Sequence, residues 1–591
     1  MKRNTEERPK NVTRRRRGGR CRRTGRQQRV VGLLLITMAT MTASVLNNFA
    51  DLALSLPPPS LEATIKQNPT VVDATGYDGR TALQKAVMVG NLPVVRLLLQ
   101  YGSDPNLRAQ SGETAVHVAC CRGLLNMFVT LLKHGGDPMV ADGAGRVAIH
   151  CAAIAGSMLL VQYLAEVCEV NLEAEDARGS TPLHIAASCG HLSLVEYLVR
   201  TKKVGRTKVD SDGNTALHSG AVGGVSGVCW AVLYPGAEHL LTTTNAAGLT
   251  PAQVAHASIS VSPDCRRWID RWTRQYERSA AVESPRWPWL IQLFTPFTIF
   301  YVGILLSVFV LPHHQWMVGV PVFIVALTVM ARQQHRLKHP IRWPNPIYLG
   351  AYGGGLFSTL ACYAAGIKAH QHQPLLLSLL MWTVVLIHLF IFYKLVTGDP
   401  GIVRAEGPLR EVLRGVGEGI VKGYCSECQL ASPPLAHHCR LCVACHHQTD
   451  HHCLFLNTCI AANNHWYFVV FIMTNIILMT GFLGAAYTAT VPPGVQGDWV
   501  DRLTAHVHNL LNEDMWTVLM AVCNEASLIW AFYLLNTQFQ VVGSQQTTLC
   551  RLKLGSPLTK PTLMEKTKNF WSFLLRGRVP LSNQTHYFNP V

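Results

Sequence analysis

CSECQLASPPLAHHCRLCVACHHQTDHHCLFLNTC, residues 425–459, holds seven cysteines and six histidines in 35 positions. The order is C-x2-C, nine residues, H-C-x2-C-x2-C, four residues, then Asp450-His451-His452-Cys453, and finally Cys459. A C-x2-C pair lets two thiolates from one tight turn reach a single tetrahedral metal, which is the usual grammar of zinc sites. Two closed sites need eight ligands, and this stretch offers more than eight. If six cysteines and two histidines bind metal, at least one thiol and one imidazole are left over, and Cys453 and His451 are the natural candidates. A spare thiol beside a spare imidazole on a metal-stiffened scaffold reads as a nucleophile with its base. A plain double zinc finger without chemistry is the competing reading, and it leaves Asp450-His451 unexplained.

Working outward, the 591-residue chain has room for several domains, and its 49% hydrophobic content points to membrane spans more than to one large soluble core. The other eleven cysteines are scattered, without a secreted-protein framework, so a reducing cytosolic face is expected. The net charge of +17 is concentrated: residues 1–29 carry thirteen Lys or Arg against two Glu. That arm has no aromatic residues, so a tail near an anionic leaflet is expected, and no nucleic-acid partner.

Between Gly79 and Ala255 the chain repeats. Thr181-Pro182-Leu183-His184-Ile185-Ala186 carries the full ankyrin signature, and weaker copies open at Thr81, Thr114, Val147, Thr215 and Thr250. The spacings of 33, 33, 34, 34 and 35 residues match the ankyrin period of about 33. Such arrays bury their second-helix stripe only against neighbours and serve as binding modules. After a charged linker, apolar stretches of spanning length run over 289–311, 316–331, 347–367, 375–396, 466–487 and 516–535. Four Lys or Arg in 332–342, against none or one in the opposite turns, place both termini and the cysteine-rich segment in the cytosol. Val30–Val45 is fairly apolar behind the basic arm: a signal anchor, a cleaved targeting sequence or a mis-assigned start would each fit.

The cysteine-rich segment resembles the Asp-His-His-Cys domain of protein S-acyltransferases (palmitoyltransferases). Asp399-Pro400-Gly401 and Thr547-Thr548 resemble that family's DPG and TTxE motifs, and its ankyrin-bearing branch also has six spans. The resemblance implies that Cys453 accepts the acyl group, His451 is its base and Asp450 orients that base. It implies one zinc on Cys425, Cys428, His438 and Cys445, and a second on Cys439, Cys442, His452 and Cys459, both structural. Thr548, beside Thr547, would hold Asp450 by a hydrogen bond, and Asn569 would belong to the C-terminal element packing near the catalytic region. Acyl-coenzyme A is the implied donor, although no residue is assigned to hold it. Cysteine-bearing protein substrates, recruited by the repeats, would accept the chain, and a Golgi address is implied, with endoplasmic reticulum or endosomes as alternatives. Three departures bear on rate and chain preference: Cys550 where the family has Glu, Leu454-Phe455 where it has Pro-Trp, and Leu435 where it has a basic residue.

The expected fold is therefore all-α: a cytosolic ankyrin-repeat solenoid followed by a six-span helical membrane domain with a cytosolic two-zinc cysteine-rich domain. It comprises a basic arm and weak apolar segment (1–60), an ankyrin array (61–262), a linker (263–286) and spans one to four (287–398). The two-zinc domain (399–465), spans five and six (466–536) and a cytosolic tail (537–591) follow. The rival function from another class is a membrane-tethered ankyrin adaptor that has lost activity. An ankyrin-bearing channel would need a re-entrant pore segment in the polar connection after the fifth span.

Overall fold

The computed structural model describes residues 49–201, 204–233, 236–259, 261–279, 286–309, 345–369, 375–490, 515–548 and 561–577, with isolated positions within 321–328 and 498–504. The basic arm, Val30–Val45, nearly all of 316–331 and Cys550 lie outside these residues. Packing divides the chain into two units: one runs to Ala119 and takes in Thr130–Gly143, and the other holds Cys120–Val129 and the chain from Ala144 onward.

The repeats are built by one capping device used again and again. Helices begin at Ala82, Ala115, Ala148, Pro182, Ala216 and Pro251, one residue after each signature start. In the first unit the Thr81 hydroxyl accepts from the Gln84 N–H while the Gln84 side chain accepts from the Thr81 N–H, a capping box. Gln84 Nε2 then donates to Leu107 O and Glu113 O, at 2.8 and 3.0 Å. In the second unit histidine does the same work. The N–H groups of Val147, Thr181 and Thr215 donate to Nδ1 of His150, His184 and His218. That fixes the proton on Nε2, which donates to Ala174 O, Lys208 O and Leu249 O respectively. Burial holds these three imidazoles below their ordinary pKa, in keeping with the neutral tautomer. His or Gln is thus required at this position because it must accept and donate at once. The glycine before each start has φ between 68 and 78°, a region open to Gly at little cost.

Two boundaries differ from expectation. Packed helices begin at Phe49, itself fully buried, twelve residues before the expected start of the array at 61. The expected linker forms a helix, Pro263–Ser279, whose Cys265, Ile269 and Trp272 are buried, with Trp272 lying 5.3 Å from Trp230 of the repeat that opens at Thr215. Its charge misled the sequence reading: arginines fill the exposed face while the apolar positions recur at helical spacing on the other.

Long helices occupy Arg286–Phe309, Ile347–Ala369, Leu375–Thr397, His465–Thr490 and Met515–Gly543, covering five of the six stretches expected to span. Among the described residues, Leu375–Thr397 and His465–Ala486 are long and apolar enough to cross a membrane. Gly350 lets the second of these long helices approach the first so closely that an added Cβ would collide with Leu293 O. Buried His388 ties three of them together. The Thr474 hydroxyl donates to Phe471 O and so accepts from His388 Nδ1 (2.8 Å), leaving Nε2 to accept from the Tyr352 hydroxyl (2.7 Å).

The structure is mostly helical, and the all-α expectation fails in the cysteine-rich segment. Three antiparallel hairpins stand there: Tyr424–Cys425 with Leu430–Ala431, His437–Cys439 with Ala444–His446, and His451–Cys453 with Thr458–Ile460. Such short strands would not persist alone in water; cross-linking through metal would supply what the small cluster around Val403, Leu430 and Cys445 cannot.

Candidate active site

Hairpin geometry sorts the ligands. Successive residues on a strand face opposite sides, so His438 and Cys439 diverge to different metal positions. Across the pairs, His438 lies opposite Cys445 and His452 opposite Cys459. Ligand atoms of Cys425, Cys428, His438 and Cys445 lie within 4.8 Å of one another, as do those of Cys439, Cys442, His452 and Cys459. In the second set Nδ1 of His452 is 3.3, 3.5 and 3.8 Å from the sulfurs of Cys442, Cys439 and Cys459. A tetrahedron with Zn–S near 2.3 Å and Zn–N near 2.05 Å has edges of about 3.6–3.8 Å. Both sets therefore fit zinc, and with four protein donors each leaves no open position for water or substrate. The Cys428 and Cys442 N–H groups point at the sulfurs of Cys425 and Cys439, each at 3.4 Å, a further donation toward thiolates.

The same alternation decides what escapes the metal. With His452 turned inward, its neighbours His451 and Cys453 share the opposite face, two residues apart. His451 Nδ1 is 2.8 Å from Asp450 Oδ2, and its ring packs edge-on against Phe468, 5.3 Å between centroids. Cys453 sits in an apolar cluster with Ile391, Leu395, Leu456 and Phe468, 9% exposed. Asp450 is buried, and its carboxylate receives three donors: His451, Gln538 Nε2 at 3.2 Å, and the Thr548 backbone N–H at 2.5 Å. Burial pushes the Asp450 pKa upward. The hydrogen bond from His451, the charges of His465 and His451, and the Thr548 N–H outweigh it and hold the carboxyl well below its usual range. Burial also opposes charge on His451, yet the hydrogen bonds to Asp450 and Cys453 raise its pKa to about 10. Both contacts favour the protonated imidazole, which suits His451 to take a proton and keep it.

Thr548 reaches Asp450 through its backbone, so the side chain is not what makes that contact. Thr547 beside it is buried. Asn569 donates from Nδ2 to Gly543 O at 2.9 Å, tying the Leu563–Arg576 helix to the end of the Met515–Gly543 helix, away from Asp450 itself. Asp399 accepts from the N–H groups of Gly401 and Ile402, both at 2.8 Å, a turn that lets Val403 pair with Cys445 O. Its role here is to aim the chain leaving the Leu375–Thr397 helix onto the hairpins.

Two members of the cluster escaped the sequence reading. Gln538 bonds Asp450 with one end of its amide, while its Oε1 lies 2.6 Å from His465 Nε2. No signal marked it: Gln538 lies three residues beyond the apolar stretch 516–535, where a polar helix end is ordinary. The distance in sequence hid its partner.

A cavity of about 330 Å³ opens among the long helices, lined by Gly355, Tyr363, Met381, Met520, Phe455 (two residues after Cys453) and Tyr352, which also packs against the Cys453 cluster. Phe455, at one of the departures from the expected pattern, forms part of its wall and packs against Tyr348, ring centroids 5.9 Å apart.

Residues 420–554 match the family model of the DHHC palmitoyltransferases, and residues 42–142 and 149–243 match that of ankyrin repeats. Palmitoyltransferase akr1 of Neurospora crassa is 26% identical over 216 residues, covering 34% of this chain and 30% of that protein. Palmitoyltransferase ZDHHC4 of Mus musculus is 31% identical over 144 residues (24% of this chain, 42% of that one). Palmitoyltransferase ZDHHC23-A of Danio rerio is 44% identical over 68 residues, 12% and 16%. The chain spans less than half the length of each of these relatives.

Proposed function

Since the chain carries a DHHC palmitoyltransferase domain joined to ankyrin repeats, we propose that it is a membrane-embedded protein S-acyltransferase. It would move a long-chain acyl group from acyl-coenzyme A, through a thioester on Cys453, to cysteines of proteins held by the repeats. The observation that carries this reading is the Asp450–His451–Cys453 group, free of both ligand sets, with Cys453 in an apolar cluster packed against Tyr352, a wall residue of the apolar cavity.

Cys453 gives its proton to His451, and Asp450 holds the resulting imidazolium. The thiolate attacks the thioester carbonyl, the new C–S bond forms as the old one breaks, and the leaving coenzyme A thiolate takes the proton from His451. A substrate cysteine repeats the exchange with Cys453 as leaving group, its proton passing to His451 first. Thioester replaces thioester, so the step is near balance and the protein supplies position and dryness. The acyl chain gains about 0.8 kcal/mol per buried methylene, which favours a donor whose tail fills the cavity that Phe455 helps to wall. Zinc, when bound, holds the hairpins.

Six spans with both termini cytosolic put Cys453 on the side where acyl-coenzyme A is made. Apolar side chains such as Leu376, Leu386 and Ile529, 67–79% exposed on the long helices, support a lipid surround. Golgi residence rests on the family resemblance. An adaptor without activity would not need Asp450 charged and enclosed.

Intact-mass analysis of the purified protein after incubation with acyl-coenzyme A of varied length tests the reading: one hydroxylamine-labile adduct on Cys453 is expected. A Cβ at Gly355 meets open space on the cavity wall, so Gly355→Leu should cut adduct formation by the longest donors about tenfold while sparing short ones. Equal loss for all lengths would sink the assignment of the cavity. For recruitment, Tyr77, Met139 and Val209 are exposed side chains of the connections between the array's helices, 84%, 53% and 53%. Their joint replacement by alanine should lower acylation of cellular proteins several-fold, read by thioester-capture proteomics, with the Cys453 adduct unchanged.

A further inference from the structure

Gln162 lies on the Met158–Glu166 helix, the second helix of the repeat that opens at Val147, and its side chain is fully buried. Its Nε2 donates to Ser426 O at 2.9 Å, and its Oε1 accepts from the Tyr424 hydroxyl at 2.8 Å. Ser426 O can only accept, so the amide orientation is fixed by its partners. Tyr424 and Ser426 flank Cys425, the first ligand of the first metal set. One ankyrin side chain therefore grips the metal-binding turn on both sides of a ligand, 262 and 264 residues away in sequence.

Three further contacts surround this grip. Arg410 pairs with Glu169 at 2.8 Å, an exposed contact of small energetic weight that fixes register more than stability. Gly417, at the end of the Leu409–Gly417 helix, sits so close to the repeats that a Cβ there would fall 2.8 Å from Tyr163 and 2.9 Å from Val129. Phe128 and Tyr163 meet edge to face behind it, at 6.0 Å.

The sequence of the repeats carries the imprint of this contact. Arg96, Val129, Gln162 and Glu196 occupy the same place, the fifth residue, in four successive second helices. Arg96 is exposed and Glu196 half-exposed, as suits charged groups on an outer face, whereas Val129 and Gln162 are 4% and 0% exposed. Charge is absent only where the array is covered. A buried amide left without partners costs about 1–3 kcal/mol, so glutamine belongs here because the metal-binding turn satisfies both of its ends.

We propose that the ankyrin array is the outer support of the first zinc site, with Gln162 as the positioning residue that holds the Cys425–Cys428 turn in its ligating shape. The proposal rests on the zinc reading of Cys425, Cys428, His438 and Cys445. Loss of such outer partners weakens metal affinity by about 10–100-fold. The repeat thereby becomes a structural part of the acyl-transfer module as well as a recruiter, and strain in it reaches the metal through one side chain.

The test uses the full-length protein in detergent micelles, comparing wild type with Gln162→Met, which keeps volume and loses both bonds, and Gln162→Glu, which keeps only the acceptor. Bound zinc is followed during competition with a chromogenic chelator, and thiols freed at each time are alkylated and mapped by mass. The expected result is one zinc lost about tenfold more readily in Gln162→Met, less so in Gln162→Glu. Cys425, Cys428 and Cys445 should label first while Cys439, Cys442 and Cys459 stay protected. Wild-type retention in Gln162→Met would overturn the proposal, and so would equal release from both sites, which marks general unfolding. Wild type without zinc would instead defeat the metal reading beneath it, so the two failures are told apart.

Discussion

Cys453→Ser is expected to form no acyl-enzyme, and Asp450→Asn to form it about 10³–10⁴-fold more slowly, the scale on which loss of an orienting carboxylate acts elsewhere. Serine keeps the shape but not the thiolate, since a hydroxyl stays protonated beside an imidazolium. The asparagine effect follows from counting donors. His451 Nδ1–H, Gln538 Nε2–H and the Thr548 N–H all converge on the two Asp450 oxygens. An asparagine offers one carbonyl oxygen and one NH₂ group, so at least one buried donor must face another donor. The charge that holds His451 as imidazolium disappears as well. Single-turnover intact-mass kinetics with palmitoyl-coenzyme A measures both variants. An Asp450→Asn rate within tenfold of wild type would show that the carboxylate does not act through His451.

His452→Ala is expected to remove the second zinc and, with it, the acyl-enzyme. The strand His451–Cys453 carries a metal ligand between base and nucleophile, and its hairpin partner Thr458–Ile460 carries another in Cys459. Structural zinc contributes on the order of 10–16 kcal/mol in small modules, more than a three-residue strand pair can supply. Once the metal leaves, the alternation that sets His451 against Cys453 has nothing to enforce it. Zinc content by elemental analysis should fall from two to one per chain, and thermal unfolding of the module should begin at lower temperature. His452→Cys separates support from chemistry: four thiolates also suit zinc, so metal and part of the rate should return. Activity of His452→Ala at wild-type level would sink the claim that metal holds the site.

What could be read from residues alone followed from spacing. Periods of 33–35 residues gave the repeats, C-x2-C pairs gave the metal turns, and apolar runs gave the long helices. These signals are local, because each depends on residues within one turn, one hairpin or one helix. Charge misled where it lined one face of a helix, as in Pro263–Ser279, since composition ignores the face opposite. The departures at Leu454-Phe455 raised a question that residues alone left open; placed in space, Phe455 forms a wall of the cavity.

Only the tertiary structure joined Asp450 to Gln538 and Thr548, 88 and 98 residues away, and Gln162 to the turn around Cys425. Pairings of that range leave no period in the chain, for they arise when long helices and repeats pack and bring distant polar groups to the same buried spot. The sequence by itself thus offered the groups able to bind metal or react, through cysteine and histidine spacing and the resemblance those spacings carry, while strand alternation came with the fold. Packing decided which donors enclose the carboxylate behind them, because a buried charge must find its partners wherever the fold delivers them.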